Sequence, residues 1–484
     1  MSSSREVERK FEAAEATPVP ARLGDEYAVE AAEELHLDAT YYDTAHLRLL
    51  RHGATMRYRV GDHEPGWHLK VAAAGPDARQ EIHAAGEPGT PPAELLALVR
   101  GHAGREAVAP VAELRTTRLQ RGVVDATGRR VASLDDDEVS GTRSSDGLIV
   151  AWRELEAELG RGTDEGLLDV LAEGLGEAGW KPSADISKIG RVLCGGVDPR
   201  DLPSAPTESK AARRLLAHLD AQVSEIVARD VAVRAGDGDA VHEMRVATRR
   251  LRSALATFRP CFVSEVTDPL RDELKWLGAV LGELRDDQVL HAGLNAAVDE
   301  VPDVLVLGPV RERIRMEMRG REQEDLASVV EALDTDRYVD LVDGLHGLVE
   351  APPWKDDDEP DGKALRHGAK RAIERVEQRR PKKAKQATDA ELHELRKAAK
   401  RARYALEMLG DEHAARFEAV QELLGDHQDS IGARAVLRLL GAAAPGRSEN
   451  GFTFGLLHQV EEQRAAGARE GWPKLVHKAL KTKI

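Results

Sequence analysis

The chain has 484 residues, of which 42% are hydrophobic and 32% are charged, and its formal net charge is −16 at pH 7. This length predicts at least two domains, and the sequence has no uninterrupted apolar run long enough to span a bilayer. The acidic balance disfavours indiscriminate binding to nucleic acid or to an anionic membrane, unless basic residues gather on one face.

Targeting and cysteine patterns indicate the compartment. The first residues, MSSSREVERKFEA, show no apolar segment of the kind found in a secretion signal. The two cysteines, Cys194 and Cys261, lie far apart and show neither metal-ligand nor disulfide spacing. We therefore expect a cytoplasmic protein with no membrane partner and no specific nucleic-acid partner.

The first 192 residues or so consist of short alternating segments broken by Gly and Pro, such as VERKFEA, ATMRYRV, WHLKV and LIVAWRELEAEL. Alternation with a period of two is typical of strands that have one buried face. The pattern predicts a largely β domain, with helices near residues 25–36, 91–103 and 164–179.

Carboxylates recur on single strand faces at both ends of this domain. In Glu6-Val-Glu8-Arg-Lys10 the polar side chains share one face, roughly 6.6 Å apart at each step. The segment Glu154-Leu-Glu156-Ala-Glu158 repeats the arrangement. A solvent-exposed face is the alternative for either strand alone, but Glu is a poor strand former and is rarely used three times in one strand.

Basic side chains also recur on single strand faces in the segments that lie between these two acidic strands. Arg57 and Arg59 share a face in MRYRV, Lys70 ends WHLK, and Arg115 and Arg118 lie in LRTTR. If these faces line one closed antiparallel barrel, the buried charges require water and bound ions. Carboxylates are ligands that Mg²⁺ or Mn²⁺ prefers, and Arg and Lys neutralise phosphate oxygens. The faces together predict a metal–phosphate site.

The order of these motifs resembles the CYTH superfamily of triphosphate tunnel enzymes over about residues 4–193. The motifs that carry the resemblance are the ExExK opening, Tyr41-Tyr42-Asp43-Thr44, MRYR, Trp67-His-Leu-Lys70, ELEAEL and Ser187-Lys188. The resemblance implies an antiparallel β-barrel that hydrolyses inorganic triphosphate, or a related triphosphate, with a divalent metal. No P-loop, GxSxG or HExxH pattern supports another nucleotide or hydrolytic chemistry.

The resemblance also implies roles for individual residues. The metal would be held by Glu6, Glu8, Glu154, Glu156 and Glu158. The phosphates would be bound by Lys10, Arg57, Arg59, Lys70, Arg115, Arg118, Lys188 and Arg191. The catalytic set would be Glu6, Glu8, Lys10, Arg57, Arg59, Lys70, Glu154 and Glu156. Asp135 and Asp137 share strand parity, and we expect one of them in the site, although three successive aspartates leave the register ambiguous. His68 is expected at the surface or in a structural role.

The rest of the chain changes character after GGVDPRDLPSAPTES, which has the composition of a linker. Long segments rich in Ala, Leu, Glu and Arg follow, and their periodicity predicts helices. A second break, APPWKDDDEPDG, divides the helical part. The predicted organisation is a CYTH domain over residues 1–194, a linker over 195–209, a first helical half over 210–350, a loop over 351–362 and a second helical half over 363–480.

The helical part contains an internal repeat. The segment HEMRVATRRLRSAL, which begins at His242, aligns with HELRKAAKRARYAL, which begins at His393, 151 positions later. A second matched pair follows the two copies: LGELRD begins at Leu281, and LGDHQD begins at Leu424. Duplication of a helical bundle is the simplest explanation.

Each copy places a basic stripe on one helical face, at positions i, i+3, i+7 and i+10. The cationic candidates are His242, Arg245, Arg249, Arg250, Arg252, His393, Arg396, Lys397, Lys400, Arg401 and Arg403. A solvated face would normally mix both signs, whereas these stripes are nearly all positive. Metal ligation by the histidines is the weaker alternative, since each copy has one His without neighbouring ligands.

Residues 205–475 resemble the CHAD family of conserved-histidine α-helical domains on the basis of these repeated stripes. The resemblance implies paired helical bundles that bind inorganic polyphosphate, and it adds an expected association with polyphosphate granules. Fusion of a CYTH barrel to a CHAD domain resembles inorganic triphosphatases. The alternatives are a polyphosphate-binding scaffold without catalysis, an adenylyl cyclase and a thiamine triphosphatase-like enzyme.

Overall fold

The structure is a computed structural model that describes residues 2–12, 17–24, 26–61, 64–72, 78–183, 187–199, 202 and 204–482. The chain divides into two compact units, Met1–Pro203 and Ser204–Ile484. The division falls within the segment 195–209 that has linker composition.

The first unit is built on an antiparallel β-sheet. Its strands are β1 Ser2–Glu12, β2 Arg22–Leu23, β3 Tyr27–Val29, β4 Glu33–Asp43, β5 Thr55–Val60, β6 Gly66–Ala72, β7 Ala78–Ala84, β8 Ala109–Val124, β9 Arg130–Arg143, β10 Ile149–Leu159 and β11 Lys181–Pro182. Eight of them pair in the order β8-β4-β5-β6-β7-β1-β10-β9, and pairing of β9 with β8 closes the ring. The predicted β-barrel is confirmed.

Five helices accompany the barrel: α1 Arg48–Arg51, α2 Ala93–Leu98, α3 Arg100–Ala103, α4 Leu167–Glu177 and α5 Lys188–Cys194. Helix α4 buries Leu168, Leu171 and Leu175, which recur every three or four residues on one face. That stripe packs in a core with Phe11 and Trp180, outside the lumen. Because side chains alternate along each strand, the apolar ones pack in this core on the outside of the barrel wall, and the polar ones point into the lumen.

Two of the three helices predicted in this domain are confirmed, because α2 and α3 occupy 91–103 and α4 occupies 164–179. The helix predicted near 25–36 is wrong, since the chain there forms β3 and the start of β4. Strand β4 pairs with β8 along its whole length, from Glu33 to Asp43. Cross-strand pairing thus overrides the helical propensity of the Glu and Ala residues in this segment.

The second unit is helical over the residues that the structure describes. Its α-helices are α6 Lys210–Ala228, α7 Asp230–Arg234, α8 Gly238–Thr257, α9 Ser264–Asp299, α10 Val310–Leu333, α11 Asp336–Glu350, α12 Gly362–Arg379, α13 Asp389–Leu409, α14 Ala414–Ala443 and α15 Phe452–Ala479. A core shared by α6, α8, α9, α11, α12, α13 and α14 runs through the unit. In the described chain, none of the helices has the length and apolarity required to cross a bilayer.

The internal repeat appears as two matching helical hairpins, α8 with α9 and α13 with α14. Arg245 of α8 lies against Gly282 of α9, with its Nη2 3.6 Å from the position of a Cβ on that glycine. Arg396 of α13 lies against Gly425 of α14 at the same distance. Both glycines leave room for a guanidinium, which explains why Gly recurs at this place in both copies. The fold class predicted from the repeat is confirmed.

Candidate active site

The barrel encloses a cavity of about 290 Å³ that charged side chains of both signs line. Its cations are Lys10, Arg57, Arg59, Lys70, Arg79, Arg118 and Lys188, and its carboxylates are Glu6, Glu8, Glu64, Glu81, Asp135, Glu156, Glu158 and Asp198. The lumen therefore carries enough cations to bind a polyanion and enough carboxylates to bind a metal.

Strand register sets which charges are neighbours. Lys10 lies opposite Glu156, and Glu8 lies opposite Glu158, in the pairing of β1 with β10. Lys70 lies opposite Glu81 in the pairing of β6 with β7. Residues directly opposite one another have Cβ atoms about 5 Å apart, so two of these pairs place a cation beside a carboxylate, and the third places two carboxylates side by side.

Lys188 stands at the centre of an acidic triad. Its Nζ lies 2.7 Å from Glu154, 2.7 Å from Glu156 and 3.0 Å from Asp137. Ligand atoms of the three carboxylates lie within 4.8 Å of one another. Ser187 accepts a 3.1 Å hydrogen bond from the Gly190 N–H, which starts helix α5 and fixes Lys188 in its first turn.

The guanidinium of Arg118 links the aspartates to the β10 strand. Its Nε and Nη2 donate to Asp137 at 2.8 and 2.7 Å, and Nη2 also reaches Glu156 at 3.1 Å. Nη1 donates to Asp135. Asp136 points the other way and accepts from Arg153 at 2.8 Å. Both Asp135 and Asp137 thus face inward, which resolves the register that the sequence left open.

At the other side of the lumen, Lys70 binds the two glutamates of the opening motif. Its Nζ lies 2.5 Å from Glu6 and 3.7 Å from Glu8. Lys10 lies 2.7 Å from Glu156. Arg57 donates a 3.1 Å hydrogen bond to the Tyr41 hydroxyl, and its only ion pair in the described chain, at 3.6 Å, is with Glu81. Arg57 therefore keeps a large part of its donor capacity available for a ligand.

Glu81 is a lumen carboxylate that the sequence analysis did not identify. Its Oε1 lies 3.0 Å from Nδ1 of the buried His68, whose Nε2 lies 2.9 Å from the Glu64 carbonyl oxygen. Alternation in ARQEIHA, where Arg79 and Glu81 share a face, could have revealed it. His68 has the structural role that was one of its two expected alternatives.

The carboxylates differ in how fully nearby cations compensate them. Burial and the neighbouring Glu81 raise the pKa of Glu6 to about 8. Burial and the charge of Glu8 raise the pKa of Glu158 to about 7. The cations Lys10 and Lys188 overcome burial and hold the pKa of Glu156 well below its usual range. Glu6 and Glu158 are therefore the positions where added positive charge would be most stabilising.

Two of the predicted phosphate ligands lie elsewhere. The Arg115 side chain is 82% exposed, whereas that of Arg118 is 13% exposed. Residues three apart on a strand face opposite ways, so Arg115 cannot share the lumen with Arg118, and its prediction is wrong. Arg191 hydrogen-bonds Glu12 at 3.1 Å and lies over the Trp152 ring, 5.4 Å from its centroid. These two contacts hold the Arg191 side chain, and Arg191 is not among the residues that line the cavity.

The other predicted barrel residues lie together. Lys10, Arg57, Arg59, Lys70, Arg118 and Lys188 line the cavity with Glu6, Glu8, Glu156 and Glu158. Glu154 is buried beside them, 2.7 Å from Lys188. These residues come from five strands and one helix, and their convergence on one small volume is the geometry expected of an active site.

In the helical unit, the stripes of α8 and α13 meet. Arg249 donates a 2.8 Å hydrogen bond to the hydroxyl of Tyr404 on α13. Burial and the charges of Arg249, Arg396 and Arg245 lower the pKa of Lys400 to about 6. Arg245 has a carboxylate partner in Asp286 at 3.0 Å. We call Arg245, Arg249, Arg396 and Lys400 the basic cluster.

The remaining stripe residues have other surroundings. Arg250 binds Glu407 at 3.3 Å, Arg403 binds Glu407 at 2.6 Å, and Lys397 pairs with Glu394 on its own helix. Arg252 and Arg401 lie near one another and near Arg271. His242 and His393 flank the basic cluster. Burial lowers the pKa of both imidazoles, together with nearby arginines at His242 and with Lys397 and Arg396 at His393.

Comparison with known proteins gives matches to both units. The CYTH domain family matches residues 4–181, and the CHAD domain family matches residues 217–438. Two curated proteins of Mycobacterium tuberculosis, described as uncharacterized proteins, are 36% identical over 487 residues, covering 96% of this chain and 94% of theirs.

Solved structures with similar chains include PptA from Streptomyces chartreusis, with 18% identity and a TM-score of 0.47, covering 55% of this chain and 99% of that one. The CHAD domain from the plant Ricinus communis gives 24% identity and a TM-score of 0.45, covering 58% of this chain and 94% of that one. The two family matches fall on the barrel unit and the helical unit, and the two curated relatives match this chain over nearly its whole length. The chain therefore belongs to the family in which a CYTH domain is followed by a CHAD domain.

Proposed function

We propose that the barrel hydrolyses inorganic triphosphate with Mg²⁺ or Mn²⁺, and that the helical unit binds inorganic polyphosphate. The observation that supports catalysis most directly is the mixed lining of the barrel cavity, where seven cations and eight carboxylates converge. A site that only bound a polyanion would not require this many carboxylates, since each one repels the ligand.

The carboxylates fit a hard divalent cation. Glu6 and Glu158 lack full compensation, and both lie beside Glu8: Glu6 is two residues away on β1, and Glu158 is opposite Glu8 in the pairing of β1 with β10. These three residues, together with Glu156, would hold the metal through oxygen ligands, the type that Mg²⁺ and Mn²⁺ select. When bound, the metal would supply Lewis acidity and lower the pKa of a coordinated water.

The cations would bind and orient the substrate. Arg57 and Arg59 lie two residues apart on β5 and line the cavity, so they can contact phosphate oxygens from one wall. Lys10 and Lys188 approach from the opposite wall, where Glu156 holds both ammonium groups at 2.7 Å. Fixed cations of this kind stabilise charge on the leaving phosphate without reorganisation.

An ionised carboxylate, Glu81, lies beside these groups. Glu81 keeps a pKa well below its usual range, because hydrogen bonds from His68 and Glu6 and the charge of Lys70 outweigh its burial. A carboxylate that stays ionised in this way can accept a hydrogen bond from the Glu6 carboxyl whenever Glu6 is protonated. Glu81 would accept hydrogen bonds and orient Glu6 during catalysis.

Phosphate release from inorganic triphosphate, ATP and thiamine triphosphate, with Mg²⁺, Mn²⁺ or EDTA, tests the activity. We expect release from inorganic triphosphate with metal and none with EDTA. Preference for thiamine triphosphate or formation of cyclic AMP from ATP would assign the barrel to one of the other enzyme alternatives. No turnover with any of the three would favour a binding-only protein.

The polyphosphate proposal depends on the basic cluster. Two helices bring Arg245, Arg249, Arg396 and Lys400 close enough to repel one another, and Asp286 and Asp429 are the acidic groups nearby. This repulsion is a cost in the free protein that a polyanion would relieve. Binding of long-chain polyphosphate to the full chain should weaken steeply with salt, because several cations release counterions from a polyanion. Affinity independent of salt between about 50 and 200 mM would contradict the proposal.

A further inference from the structure

The two helical copies differ in how they compensate one pair of arginines. In the 151-residue repeat, Arg250 corresponds to Arg401, Arg403 to Arg252, and Glu407 to Ala256. Glu407 accepts from Arg250 at 3.3 Å and from Arg403 at 2.6 Å. The matching place beside Arg401 has the methyl group of Ala256, so one copy contains a carboxylate that the other lacks.

A cavity of about 770 Å³ lies at the place of the missing carboxylate, and Ala256 and Arg401 line it. Its other cations are Arg259, Lys355, Arg371 and Arg375, and its carboxylates are Glu265 and Asp356. Asp268 already holds Arg259 through bonds of 3.0 and 2.6 Å. In the described part of the chain, no carboxylate lies within 4.0 Å of the basic groups of Arg371, Arg375 or Arg401.

The same asymmetry extends to the neighbouring helices. Buried positions of α6, from Ala212 to Val223, match those of α12, from Leu365 to Val376, at a constant interval of 153 residues. Under this match, Arg371 replaces His218 and Arg375 replaces Gln222. The surroundings of Arg401 thus lack the carboxylate that lies beside Arg250, and they contain two arginines at the places of His218 and Gln222.

Other groups in the cavity wall are suited to an anion. Helix α9 begins at Ser264 in this wall, and its N-cap, Val263, offers no side-chain acceptor to the first-turn N–H groups. The Thr257 hydroxyl, on a residue that is 7% exposed, has no hydrogen-bond partner among the described residues. Burial and the charges of Arg375, Arg271 and Arg252 lower the pKa of Arg401, which shows how little compensation it receives.

We propose that this cavity binds a phosphate group, either as a free anion or at the end of a condensed phosphate chain, through Arg371, Arg375 and Arg401. Arginine suits this ligand because its planar donors match phosphate oxygens in pairs. The inference goes beyond the proposed function, since neither hydrolysis in the barrel nor binding at the basic cluster requires this site.

Hydrogen–deuterium exchange of the full chain, without divalent metal, provides a local test. The probes are inorganic phosphate, tripolyphosphate and long-chain polyphosphate, and the peptides cover the first turn of α9 and the middle of α12. We expect protection of both peptides on adding at least one probe. Protection by inorganic phosphate assigns the site to a free anion, and protection by condensed phosphates alone assigns it to a chain end. Barrel peptides report separately on the proposed active site.

Matched variants identify the residues. Arg375→Gln should weaken protection about 10- to 100-fold in probe concentration, as expected for one charge-assisted contact. Lys370→Gln, the same charge change on an exposed neighbour in α12, should leave it unchanged. Ala256→Glu restores the carboxylate of the other copy and should abolish binding while retaining the far-UV circular dichroism and melting temperature. The proposal is overturned if no probe protects the parent, or if folded Ala256→Glu binds as tightly as the parent.

Discussion

Both units gather Arg and Lys side chains, but they compensate them in opposite ways. In the barrel, Lys188 has three carboxylate oxygens within 3.0 Å. In the helical unit, Lys400 faces Arg249, Arg396 and Arg245, with Asp286 as the compensating charge. The barrel therefore has an internally balanced site that is suited to placing a metal beside a phosphate. The basic cluster carries an excess of positive charge, which is suited to binding a polyanion and offers no comparable set of metal ligands.

The largest effect should come from breaking the balance in the barrel. Glu156→Gln removes a charge that Lys10, Lys188 and Arg118 all contact, with almost no change in volume. Phosphate release with Mg²⁺ or Mn²⁺ should fall by about 100-fold or more, because a metal ligand and the anchor of the phosphate-binding cations are lost together.

Glu34→Gln, on the exposed part of β4, is the control and should retain parent activity. Melting curves would establish that both variants are folded. Parent-level turnover in folded Glu156→Gln would remove this residue from the catalytic machinery.

Reversing charge in the basic cluster tests the other side of the comparison. Arg249→Glu combined with Lys400→Glu should reduce polyphosphate affinity by about 100-fold, since two contacts become repulsive. Triphosphate hydrolysis should be retained, because the barrel has its own phosphate ligands.

Arg319→Glu combined with Arg438→Glu makes the same change of net charge at exposed sites on α10 and α14, and binding should stay close to that of the parent. If the two double variants weakened binding equally, long-range charge rather than the cluster would explain it.

A smaller effect should distinguish the inner and outer faces of the barrel. Arg57→Ala should lower kcat/KM by about 10- to 150-fold, typical for the loss of a charge-assisted hydrogen bond. Arg115→Ala should leave it unchanged, because that side chain is 82% exposed on the outer face. Steady-state kinetics with inorganic triphosphate measures both, and similar losses in the two variants would contradict the placement of these arginines.

The smallest expected effect is on stability. The pKa of Lys400 is about 6 in the folded protein, below its ordinary value of 10.5. Between those values the unfolded chain binds more protons than the folded one, so the free energy of unfolding contributed by Lys400 rises with pH. Lys400→Met should therefore stabilise the helical unit at pH 7, by an amount that declines towards pH 10, while weakening polyphosphate binding.

Lys397→Met, an exposed lysine on the same helix, is the matched control and should show no such pH dependence. Urea unfolding followed at 222 nm at several pH values measures both variants. Identical stability changes in the two at every pH would show that Lys400 does not face uncompensated charge.

The sequence pattern was sufficient to predict which side chains share a face of a single strand or helix. The period-two spacing of Glu6, Glu8 and Lys10 places all three on one face, and a closed barrel turns that face inward. The duplicated basic segment predicted two related helices, and α8 and α13 occupy these positions. These predictions needed only the geometry of the element itself.

Which side chains from different strands and helices come together could be determined only from the tertiary structure. Arg115 and Arg118 are equally basic in sequence, and the register of β8 alone decides that Arg118 faces the lumen. Glu81 becomes part of the site because β7 pairs with β1 and β6. The unequal surroundings of Arg250 and Arg401 depend on which residues approach from other helices. A side chain's partners across an interface come from distant parts of the chain, and sequence periodicity carries no information about them.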